Sequence, residues 1–369
     1  MNKKLLVVAV AGALAAPAAY AQSSVTISGF FKGGFEGLSY GNYVRAAGGR
    51  HSQTGVVDDS SQIHFNVRED LGGGLAAIGQ IDMRFGIDSG ALSASGNDHV
   101  GLQSSQWGRI FFGRQDLHYF LRESNLTTRG SLRADSISIL SYVSPGGTTT
   151  AIANATRTTN VVHYTTPDWN GFSAIVAYSA NPSAAEADIT SQSRAGRAWN
   201  FAPYYAGKNF NVGYSYWSAK NDAAAAGVAT GNQRGDRLAG SYTWNGFQVG
   251  LAWDRSKITD ALSGASLADR TAWSIPLEYG WGNHHIYAHF DKAGNDKATA
   301  ADDAASMFAI AYAYDLSKRT SAAFTYARIN NHAGAAYTFF TSAALGIGNS
   351  APVAGEDPRM WGITLRHAF

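Results

Sequence analysis

Apolar and polar residues alternate along most of this chain. Val25, Ile27, Phe31 and Phe35 share one parity, while Thr26, Ser28, Lys32 and Glu36 hold the other. Side chains in a strand point alternately to its two faces, so such a run has one oily face and one wet face. Ile63, Phe65 and Val67 oppose Gln62, His64, Asn66 and Arg68 in the same way. Leu75, Ala77, Ile81, Met83 and Phe85 oppose Gln80, Asp82 and Arg84. The rule returns with Phe210, Val212, Tyr214 and Tyr216, with Phe247, Val249, Leu251 and Trp253, and with Phe308, Ile310, Tyr312 and Tyr314. A β-sandwich also alternates, but its oily face needs a partner sheet.

The connections alternate as well. One set is short: Glu69 to Gly74, Asp168-Trp169-Asn170-Gly171, Asn245-Gly246 and Asp315 to Arg319. The other set is long and polar: Gly37 to Ser60, Asp116 to Arg157, Asn181 to Arg197, Asn221 to Gly235 and Asn331 to Pro358. Short turns at one end and long loops at the other are the plan of an outer-membrane barrel, whose strands are even in number and alternate apolar-out, polar-in. The pattern predicts an all-β fold, a transmembrane antiparallel β-barrel of about 16 strands, wide enough for an aqueous channel. Trp169 and Phe172 flank one short turn and Trp244 and Phe247 another, as interfacial girdles do.

The start of the chain reads as an export signal. Lys3 and Lys4 precede an apolar run from Leu5 to Leu14, and Ala19-Tyr20-Ala21 is a small-x-small cleavage pattern. This places a signal peptide at 1–21 and a barrel domain at 22–369. Beyond it no apolar run approaches the roughly 20 residues of a spanning helix. Trp361, Ile363, Leu365 and Phe369 share a parity and close the sequence on an aromatic.

Composition excludes several functions. There is no cysteine, hence no disulfide and no thiolate nucleophile or ligand. Without Lys3 and Lys4 the 29 basic residues fall to 27, against 27 acidic ones, so nothing draws the mature chain to nucleic acid. His285 and His289 share a face but stand about 13 Å apart along a strand, too far to hold one ion. No HExxH, P-loop or G-x-S-x-G is present. No metal, cofactor or enzymatic activity is expected. A barrel hydrolase would need a nucleophile beside a histidine, and an exported soluble β-protein would need no detergent for extraction.

Several motifs resemble the general diffusion porins of the β-proteobacterial type. Ser24-Val25-Thr26-Ile27-Ser28-Gly29 resembles their first strand, and Glu69-Asp70-Leu71-Gly72-Gly73-Gly74-Leu75 their first periplasmic turn. Val100-Gly101-Leu102 with Gly113-Arg114-Gln115 is similar to the strand pair before their constriction loop. Leu316 to Thr320 and Leu365 to Phe369 resemble their last turn and last strand. The resemblance implies a 16-stranded homotrimer, inserted by barrel-assembly machinery among outer-membrane lipid and lipopolysaccharide. It would pass small hydrophilic solutes and ions. It also implies a third extracellular loop, Asp116 to Arg157, folded inward. The chain departs from the family at Gln62, at Asn97-Asp98-His99 and at His163, where relatives often carry cations. The family's anion preference therefore does not carry over.

By parity, Lys32, Arg68, Asp82, Arg84 and Arg109 offer wall charges, joined by Gln62 and His163. The loop offers Asp116, Glu123 and Asp135 as anions and Arg129 and Arg133 as cations. Fixed charges in a narrow pore focus the field and select ions. His64 and His163, with inward parity, would raise anion preference on acidification. Arg114, on the outward parity with Ile110 and Phe112, must lie at the rim or after a bulge. Thinned cations, with Tyr119 and Phe120 opening the loop, leave open a substrate-specific channel for a small organic solute, uncharged or aromatic.

Overall fold

A computed structural model describes residues 23–42, 52–94, 96–118, 136–140, 157–182, 196–220, 231–261, 263–339 and 352–369. Eighteen hydrogen-bonded segments form one sheet that closes on itself. Two of its strands are each broken into two segments, so the barrel has sixteen strands. They are β1 (Ser24–Gly41), β2 (Ser52–Asp58, then Gln62–Gly72), β3 (Leu75–Phe85) and β4 (Leu92–Ala94, then His99–Ser104). β5 (Gly108–Gln115), β6 (Thr158–Thr165) and β7 (Phe172–Ser179) are short. β8 (Arg197–Ala206), β9 (Phe210–Lys220), β10 (Gly231–Trp244), β11 (Phe247–Asp260) and β12 (Ser266–Trp281) follow. β13 (His284–Ala293), β14 (Ala305–Asp315), β15 (Thr320–Asn331) and β16 (Asp357–Ala368) complete the ring. Neighbours are antiparallel, and β1 pairs with β16 from Phe30↔Ala368 to Gly41↔Asp357. Among the described residues no helix is long and apolar enough to cross a membrane; the strands do so.

The expected alternation is the observed one. On β14, Phe308, Ile310, Tyr312 and Tyr314 are exposed, while Ala305, Met307, Ala309, Ala311 and Ala313 between them are buried. Small inner residues and large outer ones recur on β10 to β13, where Ala239, Ala252, Ala272 and Ala293 face inward. At the short-turn end the outer aromatics touch. Phe247 stacks on Tyr279 at 4.0 Å, Tyr279 on Trp281 at 5.2 Å and Trp281 on His284 at 5.1 Å. The two-residue turn between β10 and β11 needs positive φ at both positions, which Asn245 (47°) and Gly246 (82°) supply.

The connection expected from Gly37 to Ser60 is partly strand. Gly33 to Ser39 pairs with Ser52 to Asp58. Backbone pairing continues beyond the lipid band, where nothing enforces apolar alternation, so this part was illegible in sequence. The break in β2 is organised by Lys32: its N–H donates to Ser61 Oγ at 2.9 Å, and its carbonyl accepts from Asp59 N–H at 2.8 Å. At Arg114 the pairing of β5 with β6 shifts register between Gly113 and Gln115. The guanidinium donates to the Arg157 carbonyl at 3.0 Å, which resolves the conflict over its parity.

Candidate functional site

The inward side chains of the ring surround a lumen, and its charges are mostly paired. Lys32 faces inward but is buried, its ammonium held by Asp59. Asp82 is buried on β3 and accepts two hydrogen bonds from Arg84, at 2.8 and 2.9 Å. It also accepts from Asn97 N–H at 3.1 Å and lies 3.4 Å from His64. The break in β4 wraps this carboxylate; a Cβ on Gly96 would lie 1.8 Å from it. Gln62 stands opposite Arg84 in the register. Arg68 is exposed and donates to Gln103 at 3.3 Å. Arg109 lies over the Phe111 ring at 5.1 Å. Among the described residues, neither Arg68 nor Arg109 has a carboxylate partner.

The side chain of His163 has the inward parity, but the residue is only 2% exposed and stacks on Phe111 at 4.3 Å. His99 packs on the same ring at 4.4 Å. The imidazole lies within a stack of rings on the wall, so it adds no charged surface to the water path. Each of the histidines weighed as ligands has its own carboxylate: His285 lies 3.2 Å from Asp315, and His289 lies 2.5 Å from Asp291.

The described ends of the connection after β5 reach the inner faces of distant strands. Asp116 accepts from Arg157 N–H at 2.7 Å, and its own N–H donates to Asn97 at 2.8 Å. Leu117 and Ile137 pack among Val161, Ala177, Ala198 and Trp217, inward residues of β6 to β9. His118 is fully buried. Its Nδ1 lies 2.8 Å from Ser215 Oγ on β9, and its carbonyl accepts from Arg237 on β10 at 3.2 Å. Arg237 in turn donates to Asp254 on β11 at 3.0 Å, with both side chains 1% exposed. Gly235 leaves the space that His118 occupies, since a Cβ there would lie 2.6 Å from Nε2. Farther on, the Ile139 carbonyl accepts from Arg270 on β12 at 2.9 Å. Glu123, Arg129, Arg133 and Asp135, with Tyr119 and Phe120, lie outside the described residues, as does the segment 1–21.

Sequence reading missed His118, Ser215, Arg237, Asp254 and Arg270. Parity turns the four wall residues inward, but nothing in a sequence says which inward residue meets a loop. One signal was available: the two-residue turn at Asn245-Gly246 fixes the register, which sets Arg237 directly opposite Asp254.

Burial pushes the His118 imidazole down, to about 3 from 6.5, with Arg237 adding to the effect. A histidine that is harder to protonate when seated than when released weakens its seat as pH falls. Below 6.5 each pH unit favours the released form about tenfold, until the seated ring itself titrates near 3. Acidification from pH 7 to 4 should therefore raise open-channel noise, and His118→Gln should flatten that dependence. Equal pH profiles for the two proteins would refute it.

Comparison with known proteins agrees with this architecture. A family model described as Gram-negative porin matches residues 7–363. An outer membrane porin protein of Bordetella pertussis is 27% identical, covering 87% of this chain and 92% of the relative. An anion-selective porin from Comamonas acidovorans superposes with a TM-score of 0.77 at 20% identity, over 94% of this chain and all of that one. The trimer form of OmpT, an outer membrane protein of Vibrio cholerae, superposes with a TM-score of 0.65 at 14% identity, over 94% of this chain and 99% of that one.

Proposed function

Because this chain belongs to the Gram-negative porin family, it forms a diffusion channel in the bacterial outer membrane, and we propose that this channel is weakly selective, non-enzymatic and narrowed by the connection between β5 and β6. The observation that carries this is the seating of His118 and Ile139 against Arg237 and Arg270, on strands far around the ring from β5. A chain that leaves one wall and bonds to another spans the space between them. Asp116, with Glu123, Arg129, Arg133 and Asp135, would then stand near the narrowest point. Gln62, Asp82, Arg84 and Arg109 would face them.

Paired charges present little net field. Lys32 with Asp59, Arg84 with Asp82 and Arg237 with Asp254 each cancel locally. Of the wall cations weighed above, Arg68 and Arg109 have no carboxylate partner among the described residues and would favour anions modestly. In planar bilayers under a potassium chloride gradient, the reversal potential should show slight anion preference, reduced by Arg109→Gln. Strong selectivity of either sign, or insensitivity to that substitution, would overturn the assignment. Solute diffusion into liposomes tests the channel itself.

The assembly proposed is a homotrimer packed through β1 to β7. Their outer faces carry Ile27, Phe35, Val67, Ile81, Val100 and Phe112, all exposed in the single chain. β5 to β7 have eight residues each, where β10 to β12 have 14 to 16. Such a low flank suits contact with another barrel, while the taller flank faces lipid and lipopolysaccharide. Cross-linking in mild detergent should trap trimers; monomer alone would refute this. Export through a signal peptide at 1–21 and insertion by barrel-assembly machinery complete the proposal. N-terminal sequencing that begins elsewhere than Gln22 would contradict the cleavage site.

A further inference from the structure

The lumen holds a second piece of chain that the function above does not use. Between β15 and β16, residues 335–339 turn onto the inner wall rather than away from it. Ala335 and Tyr337 are fully buried and Phe339 nearly so. They share one apolar cluster with Ile139 and Leu140, and the cluster's floor is the inner face of β10 to β16. That floor is mostly alanine, with Met307, Ile329 and Met360 among it. Small side chains leave a shallow trough at van der Waals depth, and both segments lie in it.

The second segment is fixed by its own hydrogen bonds. Asn331, at the end of β15, uses its amide as a strand partner: it accepts from Tyr337 N–H and donates to the Tyr337 carbonyl, both at 3.0 Å. The Ala335 carbonyl accepts from Gly355 N–H at 2.8 Å. One guanidinium joins this segment to the first. Arg270 Nη2 donates to the Ile139 carbonyl at 2.9 Å, while its guanidinium carbon lies 5.0 Å above the Tyr337 ring. A planar, delocalised cation can stack on a ring and donate in its own plane at once, which an ammonium cannot do as well. At 1% exposure Arg270 is no lumen charge for passing ions.

We infer that residues 335–339 are a second element of the constriction, and that Arg270 is the positioning residue that locks them to residues 136–140. This rests on the channel reading. It differs from it in making the aperture a property of two connections held by one joint. Loosening either should free both, because each loses the neighbour that completes its apolar seat.

Single-channel recording tests this with Arg270→Met, Tyr337→Leu and the double variant, beside Arg255→Gln on the outer face as a control. Each single variant should raise conductance roughly 1.5- to 2-fold with added open-state noise, and the control should not. Both changes remove one joint, so the double should match the larger single effect. Multiplying effects would show that the two segments are anchored separately and overturn the role of Arg270. Unchanged conductance in all three would overturn the second element. Heat-modifiable electrophoretic mobility checks that each barrel is folded. Should Arg270→Met not insert, Arg270→Lys carries the test: it keeps the charge but not the fork, so a partial rise supports the joint and wild-type behaviour refutes it. A wild-type protein that conducts nothing would instead fail the channel reading.

Discussion

Replacing Leu121 to Arg133 by a short Gly-Ser bridge should raise conductance severalfold and admit larger solutes, with the barrel still inserted. In lipid, barrel stability comes from closed strand pairing that satisfies every backbone group. That ladder runs from β1 round to β16 without a residue from this segment. On the proposed reading, the segment would add bulk and charge between two seated ends, at Leu117-His118 and at Ser136 to Leu140. Its removal should therefore leave heat-modifiable mobility unchanged while widening the path. Conductance that stays at the wild-type value in an inserted channel would mean that the segment lies outside the lumen. The constriction would then fall to residues 332–356.

Asp254→Leu should have the next largest effect. Arg237 is almost wholly buried; its Nε donates to Asp254 at 3.0 Å, and its Nη2 lies 3.0 Å from the same carboxylate oxygen. Removing one partner of a buried pair costs about 3–5 kcal/mol, because the other ion stays out of water with less attraction to offset it. The strand ladder cannot relieve that cost, but lifting His118 off the wall can, because water then reaches the guanidinium. The expected record is a channel switching between a low and a high conductance level. Arg237→Leu combined with Asp254→Leu should restore a quieter trace, because both members of the buried pair are gone. Quiet single-level openings from Asp254→Leu would show that the pair does not hold the loop.

The barrel was legible because lipid outside and water inside impose strict alternation on every crossing. Ile63 to Val67 and Phe308 to Tyr314 could hardly be read otherwise. What lay beyond the lipid was not legible: Ser52–Asp58 is strand without alternation, and the breaks in β2 and β4 look like more loop. The site was half legible. Parity turned Asp82, Arg84 and Arg109 inward, and the spacing of Asp82 and Arg84 already put them on one face. It could not distinguish an inward side chain in open water from a buried one, such as Lys32 or His163. It also passed over the alanines of β10 to β15, which looked like filler and are the floor on which two connections rest.

Closure of the ring has a consequence for how the molecule is made. Phe30 and Ala368, roughly 340 residues apart, are Cα partners in the β1–β16 pairing. Bringing such distant segments together costs about 5 kcal/mol in chain entropy before any bond rewards it, whereas the hairpin at Asn245-Gly246 costs little. Until that last pairing forms, β1 and β16 are open edges that can recruit another chain. The hairpins should therefore form early and the seam late, making the seam the step most exposed to aggregation. Gly34 lies on that seam, where a Cβ would come 2.0 Å from the Ile363 carbonyl. A bulky residue there should hinder closure and also strain the closed seam.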